Sequence, residues 1–379
     1  LPTFNEVCQL NLPTLPFIPT KAKPAFAKAL SSTLKAVIET NTEQAWLKLF
    51  MLPKCVLPSV RRSGSHTQPH PVETLCRRWL DNDLESLWSM AKSREVNSRV
   101  SIKTFSSKNL IDHAVSKARS GMMGKACRVL ISGGIAPNNE STWQQLKVKH
   151  PNGPTPVAPD ILSDPIFLKA DFDILSVLRS FPKGTAAGPS GLRVQHLLDV
   201  AAIPLHTPIC TSLRSLVNIL AGGRAPPSIS KFLAGGRLIA LNKTTEASNS
   251  DIRPIVVGET LRRLTAKCLC LTIRAKARDL FQPLQVGVAC RSGSDRIIHG
   301  LRKCINDHWD DDDDFVVFKV DMQNAFNMVS RQAILDECAT FFPEILPWVV
   351  WCYGAHPLLW HPRGQLASEL GVQQGDPLG

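Results

Sequence analysis

One carboxylate, Asp321, follows the apolar run Phe315 to Val320 in the stretch FVVFKVDMQNAFNMVSR, residues 315 to 331. A carboxylate carried from the end of a strand into a turn can ligate a hard divalent cation. The β-branched and aromatic content of 315–320 predicts a buried central strand, and Ser330 predicts the cap of a helix beginning at Arg331. The acids Asp310 to Asp314 just before it do not read as a metal cluster, because consecutive acids alternate sides in an extended chain and repel; they read as a solvated turn. A second set of groups suits phosphate. Lys243 and Arg253 lie near the ends of a polar loop joining two predicted strands, Arg237 to Leu241 and Ile252 to Val257. A hairpin that brings these cations together could hold a polyphosphate, Arg by a bidentate contact and Lys as a point charge. In the helix predicted next, Leu261, Leu264, Cys268 and Leu271 share one face. Arg262, Arg263, Lys267, Arg274, Lys276 and Arg278 all precede the first acid, Asp279, and form a face that could track phosphates or simply be solvated.

The elements that must position these groups follow from periodicity and breakers. Pro24 to Phe50 reads as a helical pattern with Phe26, Leu30, Leu34, Val37 and Ile38 as a core stripe. A loop is predicted over 61–71, and helices over 72–95 and 108–131, the latter stopped by Gly133 and Gly134. HPNGPTPVAPD, 150–160, holds four prolines and a glycine, so it can continue neither a helix nor a central strand and predicts a domain boundary. Nearer the end, Arg331 to Phe342 predicts an amphipathic helix with Ile334, Cys338 and Phe341 on one side. Leu358–Trp360 and Gln365–Leu370 predict a hairpin about HPRG, where Pro362 and Gly364 suit the second and fourth places of a type I turn. GVQQGDPLG then places Gln374 and Gly375 in a polar turn ended by Pro377.

Taken together, FVVFKVDMQNAFNMVSR and GVQQGDPLG resemble the palm of non-LTR retrotransposon reverse transcriptases, in order and in spacing. GTAAGPSGLRVQHLL (184–198), GRLIALNK with DIRPIVVGETLRRLTAKCL (236–269) and QVGVACRSGSDRIIHGL (285–301) are similar to the fingers segments of that family. Five segments in the family's order over 183–379 are a far more specific signal than any one alone. The resemblance implies an α+β fold, the fingers and partial palm of a right-hand polymerase, preceded by a mainly helical basic region. The expected organisation is a helical region over 1–150, a linker over 151–162, fingers over 163–308 and partial palm over 309–379.

The resemblance also implies a chemistry: RNA-directed DNA synthesis, a primer 3′-hydroxyl attacking the α-phosphate of a dNTP, with two Mg²⁺ ions. Asp321 would be the catalytic carboxylate and metal ligand, and Lys243, Arg253, Phe326, Gln374 and Gly375 would bind the nucleotide. Phe326 stands where the family's aromatic ring collides with a ribose 2′-hydroxyl. Arg262, Arg263 and Lys267 would contact nucleic acid. The implied partners are an RNA template, a DNA primer or target and dNTP. Asn324 and Asn327 depart from the charged residues often seen beside the Ala325–Phe326 pair. The family's second metal carboxylates, an aromatic-x-Asp-Asp hairpin, do not follow Gln374–Gly375 in this chain, so it reads as a fragment or truncated copy that is inactive alone. A catalytically inactive, element-derived nucleic-acid-binding protein is the alternative; a viral or telomerase-like polymerase is a third, disfavoured by Phe326 and by the GPSG and RPI segments.

Composition is compatible with these readings. The net charge is +12, with 21 basic against 10 acidic residues in 1–150, 20 against 11 in 151–308, and 3 against 11 in 309–379. A basic body beside an acidic end fits a nucleic-acid channel leading to a carboxylate site. The 11 cysteines include no C-x-x-C pair, which argues against zinc and for buried thiols in a reducing compartment. No apolar run reaches the ~18 residues of a membrane span, and Leu1 to Thr20 lacks a basic start, so an intracellular location, nucleus or cytoplasm, is expected.

Overall fold

The computed structural model describes residues 1–59, 71–98, 107–119, 121–160, 163–203, 207–243, 251–308 and 316–379. The predicted loop at 61–70 and the acidic run at 310–314 lie outside them.

The first helix, α1 (Phe4–Gln9), opens on a Thr3–Glu6 capping box. The long pattern from Pro24 to Phe50 forms two helices, α2 (Lys23–Thr40) and α3 (Glu43–Val56). Asn41 breaks it in a left-handed conformation, φ 48°, and Thr42 caps α3 by accepting the Ala45 N–H. Asparagine tolerates that backbone because its short side chain bonds locally; here it donates to Arg224 O and accepts from Trp46. The two later helical stretches divide in the same way. Asn82 (φ 60°) separates α4 (Pro71–Leu80) from α5 (Leu84–Ser98), and Gly121 (φ 73°) separates α6 (Ser107–Arg119) from α7 (Met123–Ile131). Helix α8 (Glu140–Val148) follows, capped by Asn139.

Beyond residues 151–160, which form neither helix nor strand, come α9 (Ile174–Arg179), α10 (Val194–Ala201), α11 (Thr207–Ala221) and α12 (Pro227–Leu233). They lead into an antiparallel hairpin of β1 (Gly236–Asn242) and β2 (Ile252–Gly258), each within a residue or so of the limits expected from the sequence. Then follow α13 (Thr260–Thr272), α14 (Arg274–Phe281), α15 (Gly293–Asp307), the short α16 (Ala325–Met328), α17 (Arg331–Phe341) and α18 (Leu346–Tyr353). The strands β3 (Leu358–His361) and β4 (Gly364–Ala367) form the expected second hairpin. One mixed four-stranded sheet results, in the order β2-β1-β3-β4, with β3 parallel to β1. The fold is therefore α+β, mainly helical, with a single sheet among the described residues.

The main core runs without interruption from Phe4 through Phe26, Leu30, Leu34 and Trp46 to Leu213, Leu264, Trp351 and Trp360. A second cluster joins Trp143 and Leu146 of α8 to Leu238, Ile252, Val256 and Leu359 of the sheet. Packing thus crosses the stretch read as a linker: the region before 150 supplies a cover for the hairpin and a wall of the main core.

Three expectations are corrected. Residues 316–320 form no strand, and Val316, Val317, Phe318 and Val320 are all exposed. A strand exists by pairing, and none of the four strands of the sheet takes this segment as a neighbour. On α17 the buried face is Arg331, Leu335 and Cys338, while Phe341 is 41% exposed. On α13, Leu261, Leu264 and Cys268 are buried as expected, but Leu271, at the end of the helix, is exposed.

Candidate functional site

Helix α13 is where the separated segments meet. Its first turn faces the loop 184–191. Glu259, buried just before the helix, accepts from the N–H and the hydroxyl of Ser190, the latter at 2.7 Å. Burial raises the pKa of this carboxyl, and the two Ser190 bonds counter the shift. Thr260 Oγ1 donates to Leu192 O at 2.6 Å, Arg237 to Ala187 O at 2.8 Å, and Arg263 to Ala186 O at 2.6 Å. Gly188 must be glycine here, since a Cβ would come within 2.7 Å of the Glu259 backbone.

The opposite side of α13 holds the segment carrying Gln374 and Gly375. Arg262 is 1% exposed; its guanidinium pairs with Asp376 at 2.7 Å, donates to the Tyr353 hydroxyl at 2.9 Å and also bonds Ala234 O. Burial works against its charge, and Asp376 with Tyr353 more than offsets this, so its pKa is raised. Arg331, also buried, lies 5.1 Å from the centre of the same Tyr353 ring and donates to Gly371 O at 3.1 Å and Ser368 Oγ at 2.9 Å. Gln373 reaches Ala234 O at 2.6 Å. The turn 371–376 is thus strapped by two arginines that share the chain's single tyrosine. Gly375, at φ 99°, is exposed, and Gln374 is half-buried.

The same turn reaches the Ala325–Phe326 pair. Val372 N donates to Phe326 O at 2.7 Å, and Gly371 N to Val329 O at 2.9 Å. Gly371 has φ 68°, and a Cβ on it would lie 2.1 Å from Phe326 O, so only glycine permits this contact. Asn324, itself left-handed at φ 54°, donates to Lys149 O and accepts from Asn327 Nδ2 at 2.8 Å. The two asparagines that depart from the family pattern therefore bond each other and tie α16 to the end of α8. The Phe326 ring is 42% exposed.

An open cleft of about 580 Å³ lies along α8, lined by its Ser141, Gln144, Gln145 and Val148, by Lys149 and Asp251, and by Gln323, Asn324 and Met328. Asp251 pairs with Lys149 at 2.8 Å and with Lys243, and hydrogen bonds from the two lysines lower its pKa to about 2. Lys243 is thus engaged by a carboxylate, whereas Arg253 is exposed on the edge strand β2, opposite Leu241.

The expected site residues separate accordingly. Phe326 is joined by a backbone bond to Val372, two residues before Gln374, and Lys243 lies at the hairpin end, paired with Asp251 of the cleft. Asp321 is exposed, two residues before the cleft wall. Among the described residues no three His, Cys, Asp or Glu side chains converge as a cation site. Arg262 is corrected from a phosphate contact to a buried tie; Arg263 and Lys267 are bonded to protein carbonyls, Lys267 to Ser180 O at 2.9 Å with Phe181 under its ammonium. Tyr353, Arg331, Glu259 and Gln373 escaped sequence reasoning. Their polarity reads as surface, and only the fold supplies the partners that bury them. No protein-family model matches the chain, and no curated protein matches it.

Proposed function

We propose that this chain is the fingers and partial palm of an RNA-directed DNA polymerase of the non-LTR retrotransposon type. The observation that carries the reading is the convergence on α13 of segments picked out separately for their resemblance: the 184–191 loop, the β2 end, the turn 371–376 and, through that turn, Ala325–Phe326. A resemblance confined to unrelated surface stretches would not be expected to assemble around one helix. In this reading Arg253 holds the nucleotide triphosphate, Phe326 excludes a ribose 2′-hydroxyl, and the turn of Gln374 and Gly375 borders the sugar and base. Asp321 presents its carboxylate to a divalent cation.

A second reading, a nucleic-acid-binding protein without catalysis, is favoured by one observation: residues 316–320, which lead to Asp321, join no strand of the sheet, so no ladder fixes its carboxylate. Nucleotide selectivity separates the two. In photo-crosslinking of labelled nucleotide to the chain bound to an RNA template with a DNA primer, dNTP should label well above rNTP. Phe326→Ala should narrow that gap, and Arg253→Gln should cut dNTP labelling about tenfold, the value of one charge-assisted contact. Equal labelling by both nucleotides, indifferent to both substitutions, would leave the polymerase reading without support.

A further inference from the structure

We propose that the cleft between α14, the following loop and the start of α15 binds the phosphodiester backbone of a nucleic-acid strand. Arg274 and Arg278 line it from one side, and Arg291 and Arg296 from the other. All four are exposed, and the first two lie one helical turn apart on the same face. Lys276, between them in sequence, is used elsewhere, paired with Glu344 at 3.0 Å. Among the described residues only Arg278 of the four has an ion-pair partner, its neighbour Asp279 at 2.8 Å, and both of these side chains are more than half exposed. Such a pair is worth little in water and gives way readily to a phosphate. Asp279 and Asp295 are the acids adjoining the four in sequence, so cations outnumber acids two to one there.

The chemistry selects the partner. Guanidinium forks match phosphate oxygens two at a time. A nucleic-acid strand presents a charge roughly every 3.4 Å of axis, so a short length of it can meet arginines entering from both sides. An acidic peptide in extended form sends alternate carboxylates to opposite sides and engages such a cleft with only half its charge. The proposal deepens the polymerase reading and rests on it only for calling the bound strand a template; it also moves the polynucleotide contact away from Arg262, Arg263 and Lys267, which the fold uses internally.

The test is fluorescence anisotropy across a salt series with three probes: a short single-stranded RNA, DNA of the same sequence, and an oligoglutamate peptide. Arg274→Gln/Arg278→Gln and Arg291→Gln/Arg296→Gln are expected each to weaken oligonucleotide binding about tenfold and to make the salt slope shallower by about 1.4 for a single strand. Equal loss on RNA and DNA identifies the shared backbone, and a larger loss on RNA adds the 2′-hydroxyl; either supports the proposal. Unaltered affinity and slope in both variants, no oligonucleotide binding by the parent chain, or peptide binding as tight and as sensitive would overturn it. At template and primer concentrations high enough to saturate both variants, dNTP crosslinking should equal that of the parent chain, so failure here is distinguishable from failure of the polymerase reading.

Discussion

His196 shows how much a single residue can hide. Its Nε2 lies 2.7 Å from Leu15 O and its Nδ1 accepts the Arg193 N–H at 3.2 Å, so the ring is held as the neutral Nε2–H tautomer. A second proton would have to enter at Nδ1, against a donor already there. Burial lowers its pKa to about 4 from an ordinary 6.5, the bond to Leu15 O only partly countering it. Below pH 6.5 the unfolded chain gains a proton that the folded chain refuses, so stability is complete above about 6.5 and is lost as pH falls towards 4. The loss is about 3 kcal/mol over that window. Urea midpoints should fall between pH 7 and pH 5, and His196→Gln, which keeps a donor for Leu15 O, should flatten that part of the curve. A midpoint difference between the two pH values as large in the variant as in the parent would refute the assignment. None of this was legible beforehand, because HLL in a helical pattern announces only an amphipathic turn.

At the scale of elements, the sequence was most informative where structure is local. Alternation fixed β1 and β2 closely, Ser330 caps α17 through Ala333 N, and HPRG turns between β3 and β4. It was least informative where an element depends on a distant partner. Phe315 to Val320 has the composition of a central strand, but composition does not say which strand lies beside it, and residues 316–320 join no ladder and leave Val316, Val317, Phe318 and Val320 exposed. The apolar side of α15, with Ile297, Ile298 and Leu301 exposed, poses the same question. Amides without ladder bonds exchange with solvent freely. Hydrogen–deuterium exchange should therefore be fast over 316–320, while the amides of β1, which has a neighbour on each side, should be protected by orders of magnitude. Comparable protection in the two would mean that the apolar segment is paired after all.

Across the whole molecule, the division expected at the proline-rich stretch bears on what the basic first region can do alone. The 21 basic against 10 acidic residues of 1–150 would suit a separate nucleic-acid-binding unit, yet its residues are structural partners of the rest. Asp199 accepts the Ile18 N–H at 2.7 Å and pairs with Lys23 at 3.1 Å, Thr14 donates to Gly191 O, and Trp143 with Leu146 covers the sheet. Ala136 N even donates to Ala240 O, extending the hairpin with a residue from before the supposed boundary. Each large apolar side chain returned to water costs about 1.5–3 kcal/mol, and a truncation at His150 strips the far wall from Phe26, Trp143, Leu146 and others at once. For these three alone that is roughly 5–9 kcal/mol, comparable with the roughly 5–15 kcal/mol that holds a whole domain folded. A fragment of residues 1–150 should accordingly show no cooperative thermal transition, whereas the intact chain should melt with its first 150 residues and its sheet in one step. If the fragment melted cooperatively on its own, the continuous core would be two cores in contact, and the basic region could be assigned a function independent of the hairpin it covers.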